Sequence, residues 1–420
     1  MKYLEISGGR PLFGEIQIQG SKNAALPILV SCILSEGTCR IENCPEIKDV
    51  EDTLQIMREL GCGVRRLGRT VYVDASCISR WEIRATEASR IRSSVLFLGA
   101  LLGRTGKAVL PMPGGCAIGS RPVDLHQKAL KQLGAVFLNQ EQLQAECREI
   151  RGGRIRLPFP SVGATENCLL ACVLAKGESR IENPAREPEI DELCSFLNCR
   201  GARISRRRDG SLRIQGVSRL EPGVWQIQAD RIVAGTYLLA AACTGGSLCV
   251  HGCPEESLRA AAGVLRRMGA QVWNQEKRWA VAVKERLQGV PYVETRPYPD
   301  FPTDLQSPLM AAFSVASGRS RIRETIFENR FSTAWELRKM GAQIQVDGNL
   351  ACIDGVRRLK GARLQAPDLR GGAALVLAGL QADGITRIER TEYIERGYED
   401  ICRDLGSVGA RIRVVQDTGG

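Results

Sequence analysis

Six stretches of the chain are apolar nearly all round: NAALPILVSCIL from Asn23, SVLFLGALLG from Ser94, ENCLLACVLA from Glu166, VAGTYLLAAACT from Val233, LQSPLMAAFSVA from Leu305 and GGAALVLAGL from Gly371. A helix with no polar face has to be buried, so these six predict interior helices. Other segments, such as EDTLQIMREL from Glu51 and TAWELRKM from Thr333, place apolar residues at helical spacing with charges opposite, which predicts helices lying on a surface.

The two helix types alternate at a fixed interval. A small turn leads from a helix into a strand at Gly61, Gly134, Gly201, Gly269, Gly341 and Gly409, with successive spacings of 73, 67, 68, 72 and 68 residues. A second glycine turn lies 23 to 28 residues upstream of each, as in SEGTCRIEN, AKGESRIEN and ADGITRIER. The residue after a helix that must take positive φ is most cheaply glycine. The repeat reads as strand, buried helix, strand, surface helix, strand. Six copies of about 70 residues predict an α/β protein of two globular halves with three repeats each, because a solenoid shows shorter periods and capping repeats.

The residues before each buried helix are unusual. Lys22 and Asn23 precede the first, Arg90 and Arg92 the second, Ser161, Val162 and Gly163 the third, Asp230 and Arg231 the fourth, Asp304 the fifth, and Asp368 with Arg370 the sixth. Ser21, Ser161 and Asp304 suit capping. Cations do not, since a helix N-terminus already carries about half a positive charge. Repeated cations there point to an anion-binding site.

Composition narrows the class. The 420 residues are 44% hydrophobic and 25% charged, with a net charge of +11. No apolar run reaches transmembrane length and no signal-peptide core opens the chain, so a cytoplasmic, membrane-free protein is expected. Aromatic residues are 5% of the chain and the longest basic run is Arg206 to Arg208, which gives nucleic acid no stacking platform. The 16 cysteines form no CxxC pair, and with only His126 and His251 beside them no metal site is expected.

One cysteine stands apart. PMPGGCAIGSRPVDLH, from Pro111 to His126, is a glycine- and proline-rich loop holding Cys116 with Arg121 close behind it. A neighbouring guanidinium lowers a thiol pKa. A cysteine-phosphatase cradle needs five residues between its cysteine and arginine, and four separate Cys116 from Arg121. A Cys–His hydrolase built on His126 has no marked third group.

Together with GSKNAALP, PSVGATEN, AREPEI, FPTDLQ, TIFENRF, DLRGGAALVLAGL and ERGYE, this loop resembles the UDP-N-acetylglucosamine 1-carboxyvinyltransferase (MurA) family of enolpyruvyl transferases, over essentially the whole chain. The resemblance implies a two-domain inside-out α/β barrel. Its domains are 22–229 and 1–21 plus 230–420, three repeats in each, with the active site in the cleft between them. It implies transfer of the enolpyruvyl group of phosphoenolpyruvate to the 3′-hydroxyl of UDP-N-acetylglucosamine with release of phosphate, the first committed step of peptidoglycan synthesis, and no cofactor. Carried over residue by residue, Lys22, Arg121 and Arg396 hold phosphoenolpyruvate, with Arg370 in support. Asn23 and Asp304 lie at the sugar hydroxyl, Asp304 as general base. Cys116 is the general acid and the target of the epoxide fosfomycin. Arg92, the segment Arg121, Pro122, Val123, Asp124 and Leu125, then Ser161, Val162, Gly163 and Ile326 line the nucleotide. Two departures are Phe159, where some members carry lysine, and Ala100, where proline is frequent. A shikimate 3-phosphate enzyme of the same chemistry lacks the cysteine loop.

Overall fold

The computed structural model describes residues 2–84, 92–112, 123–139 and 142–416. Contacts divide the chain into two units. The first holds the described residues from Gly20 to Gln228, and the second holds those up to Gln19 and from Ala229 onward. Each has its own hydrophobic core.

The six apolar stretches form helices buried along almost their whole length. In the first unit these are Lys22–Ser31, Leu96–Thr105 and Val162–Cys172; in the second, Arg231–Thr244, Gln306–Phe313 and Leu369–Gln381. Within each unit they pack on one another. Gly99 lets two of them approach closely, since a Cβ there would lie 2.3 Å from the Asn167 carbonyl oxygen. The amphipathic stretches form the outer helices, such as Lys48–Glu59 and Glu255–Arg267. The turn glycines from Gly61 to Gly409 all take φ between 90° and 103°, a region open to glycine at no steric cost.

The repeat carries one strand more than the sequence predicts. After five of the six surface helices the chain makes a hairpin rather than a single strand, as in Gly63–Leu67 with Thr70–Asp74. The cause is the alternation of buried and half-buried residues along Thr70–Asp74, which lays one face on the core and turns the other outward. The four-stranded sheets share one order. In the second unit Val293–Glu294 runs parallel to Arg319–Arg323, which pairs antiparallel with Leu350–Asp354 and that with Gln343–Asp347. In the last sheet the hairpin partner is the N-terminal strand Lys2–Ser7, set between Ile385–Glu389 and Arg411–Gln416.

Two edge strands are exchanged between repeats. Phe13–Gln17 leads into the helix Lys22–Ser31 yet pairs with Ser247–His251 in the second unit. Val224–Gln226 leads into Arg231–Thr244 yet pairs with Thr38–Glu42 in the first.

Candidate active site

In the second unit, the sequence TDLQ turns a short 3₁₀ segment, Thr303–Leu305, into the buried helix that follows. Asp304 sits on that turn and does not cap the helix. Its two oxygens accept from two arginines, Oδ1 from Arg330 Nη2 and Oδ2 from Arg370 Nη2, both at 2.9 Å. Both guanidiniums are almost fully buried, with side chains 3% and 4% exposed. Burial opposes the charge on Arg370, but Asp304, Tyr398 and Asp230 together more than offset it and hold the pKa above the ordinary arginine value. Two cations share one carboxylate, so the cluster keeps a net positive charge. Arg370 Nη1 and Arg330 Nε are buried donors with no hydrogen-bond partner among the described residues. A buried charged donor left unmatched is costly, and such donors are the chemistry that charge-assisted bonds to an anion use.

Neighbouring groups fix this cluster. Arg370 is the second residue of its helix, which Asp368 caps by accepting from the amides of Arg370 and Gly371. Arg330 lies over the Phe327 ring at 5.5 Å. Glu324 accepts from Thr303 Oγ1 at 2.9 Å and from the Ile326 amide at 2.8 Å, tying the loop of Ile326 to the turn of Asp304. Arg396 ends the 3₁₀ segment Thr391–Arg396 and is half-buried.

In the first unit, Lys22 begins its helix and its Nζ lies 2.5 Å from Asp49 Oδ2, both side chains being largely buried. Asn23 follows, half-buried. Ser21 makes no side-chain cap bond, whereas Ser161 caps its helix by accepting from the Ala164 amide at 3.4 Å. Asp230 caps in the same way in the second unit. The segment from Val123 through Asp124 and Leu125 enters a helix whose His126 packs against Gly163: a Cβ there would meet the ring carbon at 3.0 Å. His126 Nδ1 lies 2.8 Å from Asn167 Nδ2, and Asn167 Oδ1 accepts from the Gly99 amide at 2.6 Å. That chain of contacts ties the start of the helix after Val123 to the segment Ser161 to Gly163. Phe159 is exposed just before it.

The cations at the helix starts therefore meet protein partners. Asp49 faces Lys22, Asp304 faces Arg370, and Arg231 stacks on Tyr298. Part of the cost of placing a cation at a helix start is thus offset within the protein. Cys116, Arg121, Pro122 and Arg90 lie outside the described residues, and Arg92 is described only as the first residue of the 3₁₀ segment Arg92–Val95.

The model of the EPSP synthase (3-phosphoshikimate 1-carboxyvinyltransferase) family matches residues 6–405. A protein named UDP-N-acetylglucosamine 1-carboxyvinyltransferase 2, from Caldanaerobacter subterraneus subsp. tengcongensis, is 45% identical over 414 residues, covering 98% of this chain and 99% of that one. The chain belongs to the UDP-N-acetylglucosamine 1-carboxyvinyltransferase family. A second member, from Lawsonia intracellularis, is 44% identical over 417 residues, with 98% and 99% covered. Among solved structures, the enolpyruvyl transferase NikO from Streptomyces tendae matches with a TM-score of 0.88 at 26% identity over 99% of both chains. EPSP synthase from Acinetobacter baumannii matches at 0.76 with 19% identity, over 99% of this chain and 100% of that one, which speaks for the fold alone. The fold is the mixed α/β fold of the enolpyruvyl transferases.

Sequence reasoning missed four residues that hold this family's candidate site together: Arg330, Asp49, Glu324 and Asn167. Arg330 lies within the stretch TIFENRF and Glu324 immediately precedes it, so their neighbourhood was marked even though their roles were not. Asp49 sits in the first turn of an outer helix, where an acid is the ordinary dipole complement and raises no alarm.

Proposed function

We propose that the chain transfers the enolpyruvyl group of phosphoenolpyruvate to the 3′-hydroxyl of UDP-N-acetylglucosamine and releases phosphate, the committed entry to peptidoglycan synthesis. The observation that carries this is identity of 45% to a protein of that name over 98% of the chain. The buried arginine pair around Asp304 supports it from the side of chemistry.

In this reading each unit, 22–229 and 1–21 plus 230–420, is an inside-out α/β barrel of three repeats. Phosphoenolpyruvate carries about three negative charges, and each charge-assisted bond to it contributes ~1.5–3 kcal/mol. Lys22, Arg121, Arg370 and Arg396 share that charge, with Asp49 orienting Lys22. Arg330, which the sequence did not single out, joins them through Asp304. The nucleotide lies along Arg92, Arg121 to Leu125, Ser161 to Gly163 and Ile326.

Asp304, whose oxygens accept from two guanidiniums, takes the proton of the sugar hydroxyl as its oxygen bonds to C2 of phosphoenolpyruvate. Asn23 positions that hydroxyl. Cys116 gives a proton to the methylene carbon, which completes a tetrahedral ketal. Loss of a proton from the new methyl group then expels phosphate and restores the double bond. Charge on the reacting phosphate and carboxylate is met by preorganised cations rather than by water. The chemistry runs on side chains in the cytoplasm, without a cofactor.

Phosphate release from phosphoenolpyruvate, measured with UDP-N-acetylglucosamine and separately with shikimate 3-phosphate, tests the reading. Release with the sugar nucleotide alone is the expected result, and release with the shikimate alone overturns it. Fosfomycin provides a second arm, since Cys116 should take the label. Of the described cysteines only Cys77 and Cys199 are exposed, so competition for the label is limited.

A further inference from the structure

The exchanged edge strand creates a juxtaposition that no spacing along the chain reveals. Phe13–Gln17 runs parallel to Ser247–His251, with Glu15 directly beside Cys249 and Gln17 beside His251. Side chains two residues apart on a strand share a face, so Cys249 and His251 point the same way as Glu15. His251 Nε2 lies 2.8 Å from Glu15 Oε2. One ligand atom each from Glu15, Cys249 and His251 falls within 4.8 Å of the others. Glu15 is exposed and the other two are half-buried, so an ion can reach them from water.

We propose that Glu15, Cys249 and His251 bind one zinc ion on the outer face of this sheet, with water as the fourth ligand. A thiolate, an imidazole and a carboxylate form a donor set of mixed softness that suits zinc, which accepts sulfur, nitrogen and oxygen ligands in tetrahedral array at ~2.0–2.3 Å. Three donors already within 4.8 Å of one another can converge on one ion by side-chain rotation, in which the His251–Glu15 hydrogen bond gives way to two metal bonds. Binding releases the thiol proton of Cys249 to solvent, so occupancy rises with pH.

The site is structural. Its ion fastens the segment Phe13–Gln17 onto a strand more than 200 residues away, just before the chain passes from Gln19 into the first unit and reaches Lys22. One feature opposes it. Arg278 pairs with His251 across the next strand and acts on Cys249, so its charge weakens cation binding. That opposition provides a test of location.

The full chain, freed of metal by a chelator and kept reduced with a phosphine, is titrated with Co²⁺ and then with Zn²⁺. A thiolate-to-cobalt charge-transfer band should saturate at one equivalent and be displaced by zinc. Cys249→Ser should remove the band, while His251→Ala and Glu15→Gln should weaken binding by about tenfold or more. Arg278→Gln should tighten it. Melting curves without metal check that each variant folds. A band that survives in Cys249→Ser belongs to another cysteine and overturns the proposal. No band in the native chain, or unchanged affinity in both His251→Ala and Glu15→Gln, overturns it as well.

Discussion

Asparagine and alanine at position 304 separate two things the carboxylate does. In the native chain each oxygen of Asp304 accepts from a different guanidinium at 2.9 Å. Alanine leaves Arg330 and Arg370 buried with no carboxylate between them. Removing one partner of a buried ion pair costs ~3–5 kcal/mol. The Asp304 side chain is 26% exposed, so water reaches it, and the lower end of that range, about 3 kcal/mol, applies. For a unit of about 200 residues each kcal/mol lowers the melting temperature by ~2–4 °C, which gives a drop of roughly 6–12 °C. Asparagine keeps one carbonyl acceptor and turns an amide donor toward the other guanidinium, a loss of about 1–2 kcal/mol. Both variants lose the proton acceptor, and turnover should fall by ~10²–10⁴ in each. Phosphate release and thermal melts on the three proteins provide the comparison. Near-normal turnover in Asp304→Asn removes the residue from proton transfer. A melting temperature for Asp304→Ala within about 2 °C of native would refute the claim that this carboxylate holds two buried charges.

Three further predictions follow from the same geometry. Arg330→Ala should cut turnover about ten- to hundredfold, the equivalent of one charge-assisted hydrogen bond, and Arg330→Lys should recover only part of it because lysine lacks the planar fork; full recovery by lysine would point to charge alone. Lys22→Ala and Arg396→Ala should raise KM for phosphoenolpyruvate far more than for the sugar nucleotide, and equal losses for both substrates would place these residues outside the phosphate pocket. Glu192 has its pKa raised by burial from 4.5 to about 7, against the opposing hydrogen bonds from the Gln228 amide and Trp225. Between those values the folded state holds more protons than the unfolded, so stability falls as pH rises, by an order of 3 kcal/mol in all. Glu192→Gln should therefore melt above the native protein at pH 8 and lose that advantage near pH 4.5, and a gap that does not change with pH would rule this out.

What could be read along the chain follows from which interactions are local. The six buried helices were legible because an all-apolar decapeptide has nowhere else to go, and the turn glycines because positive φ excludes most side chains. The hairpins were half visible: Thr70–Asp74 alternates, but Gly63–Leu67 carries two arginines and leaves little apolar signal. Lys22 and Arg370 were found because a cation at a helix start contradicts the local electrostatics. Arg330 was not, because its meaning lies in Asp304, 26 residues away and on another element. A buried ion pair is written in two places, and each half alone looks like ordinary surface charge. The loop of Cys116 was read from its composition and its resemblance, and it lies outside the described residues.

Periodicity also says which segments are equivalent without saying which unit owns them. Each buried helix is flanked by an edge strand before it and a paired strand after it, and in four repeats those two strands pair with each other or bridge. In the first and fourth they do not. The strand Phe13–Gln17 stays in the second unit while its helix begins the first, and Val224–Gln226 does the reverse. The two passages are secured alike: the Ser21 amide donates to the Gln228 carbonyl at 2.7 Å, and the Asp230 amide to the Gln19 carbonyl at 2.9 Å. Each passage is followed within three residues by a cation at a helix start, Lys22 in one case and Arg231 in the other. Six equal repeats would close into two independent units with no chain in common but a single linker. Exchanging one edge strand each way gives two linkers instead, both hydrogen-bonded on either side, and both end at residues with partners of their own, Asp49 and Tyr298. The exchange costs nothing in sheet hydrogen bonds, since every edge finds an equivalent partner, and so no local signal in the sequence has to mark it.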